Sequence, residues 1–256
     1  SDVCSSDLKE IQKKRSWNTL VFAKQCMAVT GVFFVLFVLM HSYGNLKILA
    51  GADAYNGYAH HLRVFGAPIL PYEGLLWILR VLLLACVVIH MVCAFHLWHR
   101  ASKGRGSQKY AVKQNVVNNY ATRTVRVGSV LLALFIFFHI FHFTTKWVQI
   151  GAGEAYSSAT CKVGEEMIPV APWNMMVTTF SPANWWTLII YLGAVAIVSL
   201  HVGHGVWSAL QTMGWIRENT HQATVYISGI VGLLLFAMFA IPPLYLVITN
   251  PAPVVC

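Results

Sequence analysis

The sequence of 256 residues predicts an all-α, multi-pass membrane protein, and three observations carry that prediction. The chain is 57% hydrophobic and 11% charged, with a mean hydropathy of +0.60, whereas a soluble domain is about 25% charged. Aromatic residues make up 13%, so there is ample apolar surface to bury and the composition excludes a disordered chain. Five stretches each supply the about 20 mostly apolar residues that a helix needs to cross a hydrocarbon core of ~30 Å.

The first of these spans runs from Val21 to Ser42. It is too long and too internal for a signal peptide and lacks a small-residue cleavage site, so it is expected to stay. The others are Glu73 to Leu97, Val125 to Trp147, Trp185 to Leu210 and Val225 to Ile248. Residues 1–18 read as a polar cytoplasmic tail, whose opening SDVCSSDL is treated as disordered or foreign. Residues 19–250 read as one membrane domain, and 251–256 as a short extracytoplasmic tail. The connection from Val148 to Asn184, with Pro169, Pro172 and Pro182, is expected outside, folded over the bundle.

Charge placement orients the chain. Its net charge is +9, but the basic residues cluster between apolar runs, which is a topology signal. One side carries Lys9, Lys13, Lys14, Arg15, Lys24, then seven more between Arg100 and Arg126, then Arg217. The other carries Lys47, Arg63, Lys146 and Lys162. Thirteen against four puts the N-terminus in the cytoplasm, and no nucleic-acid partner is expected. The six cysteines have no paired spacing, so no disulfide framework is expected, and without C-x-x-C-H no covalently attached c-type haem.

Eleven histidines are present, and seven (His41, His90, His96, His139, His142, His201, His204) fall in or beside spans, where polar groups are costly and mark function. Taken singly, each has an ordinary account as a packing or interfacial residue. His96 and His99 fit that account, and His60, His61 and His221 lie in loops. Four others share a geometry. His41, His90, His139 and His201 each sit 16 to 18 residues into a span, counted from Ala23, Glu73, Arg123 and Trp185. That is roughly 24 to 27 Å along each helix. Because successive helices alternate in direction, His41 and His139 share an outer level and His90 and His201 an inner one. Facing imidazoles at one depth in a bundle are what bis-histidine haem ligation needs, so four of the five spans are expected to form a haem-binding bundle. Gly31, Gly128, Gly193, Gly203 and Gly205 would either let a macrocycle approach the backbone or serve ordinary helix packing. Arg80, the one basic residue well inside a span, would pair with a haem propionate or snorkel to the surface. His142 and His204 follow His139 and His201 by three positions, and spacing alone does not choose between neighbours.

Several stretches in order carry a resemblance: His41-Ser-Tyr-Gly-Asn-Leu, Gly51-Ala-Asp-Ala-Tyr-Asn-Gly-Tyr-Ala, Leu79-Arg80 with His90, Phe138-His139-Ile-Phe-His142, and His201-Val-Gly-His204-Gly before Met213-Gly-Trp. From Trp17 to Ile248 the sequence resembles the cytochrome b membrane anchors of succinate:quinone oxidoreductases and quinol:fumarate reductases, and is similar to their single-chain, five-helix, two-haem b558 group. The resemblance implies two b haems, the distal on His41 and His139, the proximal on His90 and His201. It implies a flavoprotein and an iron-sulfur subunit on the cytoplasmic face of a bacterial plasma membrane, where the dicarboxylate chemistry would occur. Quinone, leaning to menaquinone, is the implied membrane substrate, and the complex could assemble further. Tyr43, His60, His61 and Arg63 beside the outer haem are the candidates for the quinone head. Some quinol-oxidising members carry glutamates where this sequence has Arg63 and Ser199, so carboxylates for carrying protons are expected to be missing there. The alternatives are a di-haem anchor of nitrate reductase or hydrogenase type, and a haem-free transporter, which would need inward carboxylates beside its histidines.

Overall fold

The computed structural model describes residues 19–104, 118–151, 161–163, 166–168 and 172–254, with backbone alone for 118–124, 161–163 and 166–168. The tail at 1–18 and the last two residues lie outside that set.

Among the described residues seven helices of eight residues or more follow in order: α1 (Leu20–Leu46), α2 (Ala52–Val64), α3 (Gly74–Gly104), α4 (Asn118–His139), α5 (Pro172–Thr179), α6 (Trp185–Thr212) and α7 (His221–Thr249). Five of them, α1, α3, α4, α6 and α7, are long and apolar enough to cross a membrane, and they coincide with the five expected spans. Thr19 caps α1 by accepting from the Phe22 N–H at 3.2 Å, which satisfies one of the donors a helix start leaves open. Asn250 ends α7 in the left-handed conformation, its N–H bonded to the Leu246 carbonyl. The third span closes in a π turn, Ile140–Thr144. A short antiparallel hairpin pairs Cys161–Val163 with Glu166–Ile168.

Large apolar side chains such as Leu36, Val81, Leu84, Val88 and Leu233 are exposed. On a soluble protein so much apolar surface would drive association; on spanning helices it is the face that meets lipid. Cohesion between helices then depends on close packing of small residues. At the α6–α7 contact a Cβ added to Gly232 would lie 2.7 Å from the Ser199 carbonyl oxygen, and one added to Gly203 3.2 Å from that of Ser228. The two backbones therefore touch through Ser199, Gly203, Ser228 and Gly232. Gly203 serves this contact, not a macrocycle slot.

The densest core sits at the end of the bundle that carries His41. Ile48, Trp173, Met176, Val177, Phe180, Tyr191 and Leu246 are buried together there. Two segments read as loops are helices that close this end. Over Gly51–Ala59, taken as a connecting loop, the chain folds as α2, and within the expected lid, part of which lies outside the described residues, Pro172–Thr179 folds as the buried helix α5. Asn56 Oδ1 accepts from the Trp173 N–H at 3.0 Å, tying α2 to α5. Asn174 accepts from the Val254 N–H at 2.9 Å and donates to its carbonyl at 3.0 Å, tying α5 to the segment after α7.

Candidate functional site

α1 packs on α3, α6 and α7, and α6 packs on α1, α4 and α7. The histidines meet across the remaining gaps. His90 of α3 faces His201 of α6 with ring centres 6.3 Å apart, and His41 of α1 faces His139 of α4 at 5.9 Å. Neither pair joins helices that are close-packed neighbours among the described residues. Each pair thus spans an opening between helices whose backbones stand apart.

Three helices measure the separation of the two levels. On α1 His41 lies eleven positions beyond Thr30, which touches His90. On α4 ten separate Ser129, which touches His201, from His139, and on α6 ten separate Tyr191, which touches the His139 ring, from His201. At 1.5 Å per residue the three counts give about 15 to 17 Å.

Hydroxyl groups fix the tautomers of the His90–His201 pair. Thr30 Oγ1 donates to the Cys26 carbonyl at 2.7 Å, so its lone pair accepts from His90 Nδ1–H at 2.9 Å. Ser129 Oγ donates to the Val125 carbonyl at 2.6 Å and accepts from His201 Nδ1–H at 3.3 Å. A neutral imidazole that donates from Nδ1 keeps the Nε2 lone pair for a metal, and such a partner also strengthens it as a donor. Thr30 and Ser129 were not among the sequence candidates. The depth argument that pairs the histidines would have found them, since each lies at the level of a histidine on another span.

The His41–His139 pair is held by rings: Phe37 stacks on His41 at 5.3 Å, Phe135 on His139 at 5.7 Å, and Phe239 and Phe143 flank them. His139 Nδ1 is buried without a hydrogen-bond partner. An orphaned ring nitrogen is costly in an apolar interior.

The neighbouring histidines have other occupations. His142 is fully buried with both ring nitrogens committed. Thr179 Oγ1 donates to the Met175 carbonyl at 2.6 Å and accepts from His142 Nε2–H at 3.2 Å, so Nδ1 accepts from the Tyr191 hydroxyl at 2.7 Å. That leaves His142 no lone pair for a metal while the network stands. His204 lies beside Trp207 of its own helix, 6.1 Å between ring centres. His96, His99 and His221 are exposed.

The remaining candidates gather at the His41 end without forming one site. Tyr43 meets Tyr58 edge-on at 6.1 Å with Lys47 Nζ 4.8 Å over its ring. Burial raises the Tyr58 pKa, Tyr43 adds to the rise and Lys47 opposes it. His60 is half-buried on α2, and His61 is exposed beside Phe65. Arg63 donates from Nε to Glu73 Oε1 at 3.0 Å, and Arg80 donates from Nη1 to Oε2 of the same carboxylate at 3.3 Å. A carboxylate is therefore present beside Arg63, supplied from ten residues downstream, where position-by-position reading expected none. Of the five glycines, Gly31 lies beside the His90 ring, Gly128 packs toward Ile197 of α6, and Gly193 and Gly205 adjoin open space.

The ring-centre separation of each pair is compatible in distance with two imidazoles on one metal at metal–nitrogen bonds of about 2.0–2.1 Å. No family model, curated protein or solved structure matches the chain. Fold and site together define a multi-pass helical membrane protein with two stacked histidine pairs in its interior.

Proposed function

We propose that this chain is the membrane-anchor cytochrome b subunit of a succinate:quinone oxidoreductase or quinol:fumarate reductase, carrying electrons between a cytoplasmic iron-sulfur subunit and membrane quinone. The observation that carries the reading is the His90–His201 pair, two facing rings each held as the Nδ1–H tautomer by a hydroxyl on a further helix. Two b haems, when bound, would supply one-electron chemistry with no open iron position for oxygen.

The chain's own residues set the conditions for that chemistry. His90 and His201 would hold the inner haem and His41 and His139 the outer one. Thr30 and Ser129 orient the inner ligands and strengthen their donor nitrogens. Phe37, Phe135, Phe143 and Phe239 exclude water from the outer pair. The excess of Lys and Arg favours the His90 level as cytoplasmic, nearest a flavoprotein and iron-sulfur partner. Tyr43, His60 and His61 would meet the head of a quinone, menaquinone by resemblance, near the His41 level, while Arg63 is engaged with Glu73. The partners found on His90 and His201 are neutral hydroxyls, which supports haem over a transporter that needs carboxylates beside its histidines.

The test is made on membranes that contain the chain with its partner subunits. Succinate is expected to reduce the b-type absorbance and fumarate to reoxidise it. Full b absorbance that ignores both, with the flavoprotein active, would contradict the assignment to this class of complex and favour another respiratory anchor.

A further inference from the structure

The end of the bundle poor in basic residues brings two of its cations onto one carboxylate, with a third in their electrostatic field. Glu73 turns the chain into α3: its N–H donates to the Arg63 carbonyl at 2.7 Å and its carbonyl accepts from the Trp77 N–H at 2.9 Å. The carboxylate so placed bridges Arg63, at the end of α2, and Arg80, in the second turn of α3. A third cation, Lys146, follows the third span in a left-handed conformation, φ 57°. Burial pushes its pKa down, Arg63 lowers it further and Glu73 raises it, so Lys146 shares the field of the cluster. Among the described residues Glu73 is the one carboxylate paired with these cations. Three positive groups against one negative leave an excess of two, on side chains only 16% to 34% exposed at Arg63 and Arg80.

Charge so little exposed at the edge of a hydrocarbon layer is costly without a counter-ion. Beside it an exposed apolar strip runs along one face of α3, formed by Trp77, Ile78, Val81, Leu82 and Ala85. Trp77 joins the two features, because the Arg80 guanidinium lies 5.0 Å over its ring. Tyr72 and Trp147, both exposed and next in sequence to Glu73 and Lys146, place the cluster at the level where aromatic side chains meet lipid headgroups. A positive head site above an apolar strip suits an amphiphile with an anionic head.

We propose that Arg63, Arg80 and Lys146 bind the phosphate of one anionic phospholipid, whose acyl chain lies along the apolar strip of α3. The site does not depend on the haem reading. The full chain is purified with its partners in mild detergent and titrated with phosphatidylglycerol or phosphatidylcholine, with retained lipid counted by native mass spectrometry. One phosphatidylglycerol is expected to be held in preference to phosphatidylcholine. An Arg80→Gln/Lys146→Gln chain is expected to lose about ten- to thirty-fold in that retention, while Arg80→Lys/Lys146→Arg keeps it. Equal retention of the two lipids by the unaltered protein would overturn the proposal without recourse to any variant. So would undiminished phosphatidylglycerol in the Gln double variant. If that variant loses b absorbance and keeps its phosphatidylglycerol, the cations serve a haem carboxylate and the lipid site is refuted.

Discussion

A chain with His201→Ala, or with His90→Ala, is expected to fold, assemble and carry one b haem in place of two. The inner site has two ring ligands, and removal of either leaves a single imidazole facing a cavity on a helix that is not a close-packed neighbour. The count of haem per chain should fall by half, and the surviving absorbance should belong to the His41–His139 level. A graded effect is expected one step out. Thr30→Val keeps the shape of the side chain and removes the hydroxyl acceptor of His90 Nδ1–H, leaving the Met27 carbonyl beside the ring. That bond makes the ring a stronger donor and so favours ferric over ferrous iron. Its loss should raise the inner midpoint potential by tens of millivolts, at roughly 59 mV per tenfold change in relative affinity for a one-electron couple. Two full haem signals in His201→Ala, or an unmoved inner potential in Thr30→Val, would remove these residues from the roles given them.

The second large effect separates His139 from His142. His139→Ala is expected to remove the outer haem. His142→Ala is expected to retain both haems and to lose stability, because it leaves the Tyr191 hydroxyl and Thr179 without their partner in a buried network and opens a cavity. Loss of one buried hydrogen-bonded side chain of this size costs about 2–4 kcal/mol. Haem count and thermal denaturation of the two variants distinguish the cases. The reverse pattern, haem lost with His142 and kept with His139, would transfer the ligand role three residues along the chain.

The five spans were legible in the sequence because length and apolarity are properties of a single segment. The pairing of histidine levels was legible for the same reason, since depth along a helix follows from counting residues. What lay beyond single segments was harder to read. The stretch from Ala52 to Val64 carries Asp53, Asn56 and Gly57 among its aromatics and reads as a loop. It holds as a helix because Asn56 is bonded into α5. α5 is too short to announce itself by periodicity and is buried by partners from α2 and from the segment after α7. In the linear sequence Arg63 stands where the resemblance puts a carboxylate, whereas folding delivers Glu73 to it. The i, i+3 neighbours were indistinguishable by spacing, and the difference between them lies in Tyr191 and Thr179, on two other helices.

The most direct measurement is the pyridine haemochrome count on the purified, folded chain, made alongside a dithionite-reduced minus oxidised spectrum. Two b haems per chain are expected, one for each histidine level. Well-folded protein that holds no haem would contradict the account and return the four histidines to another use.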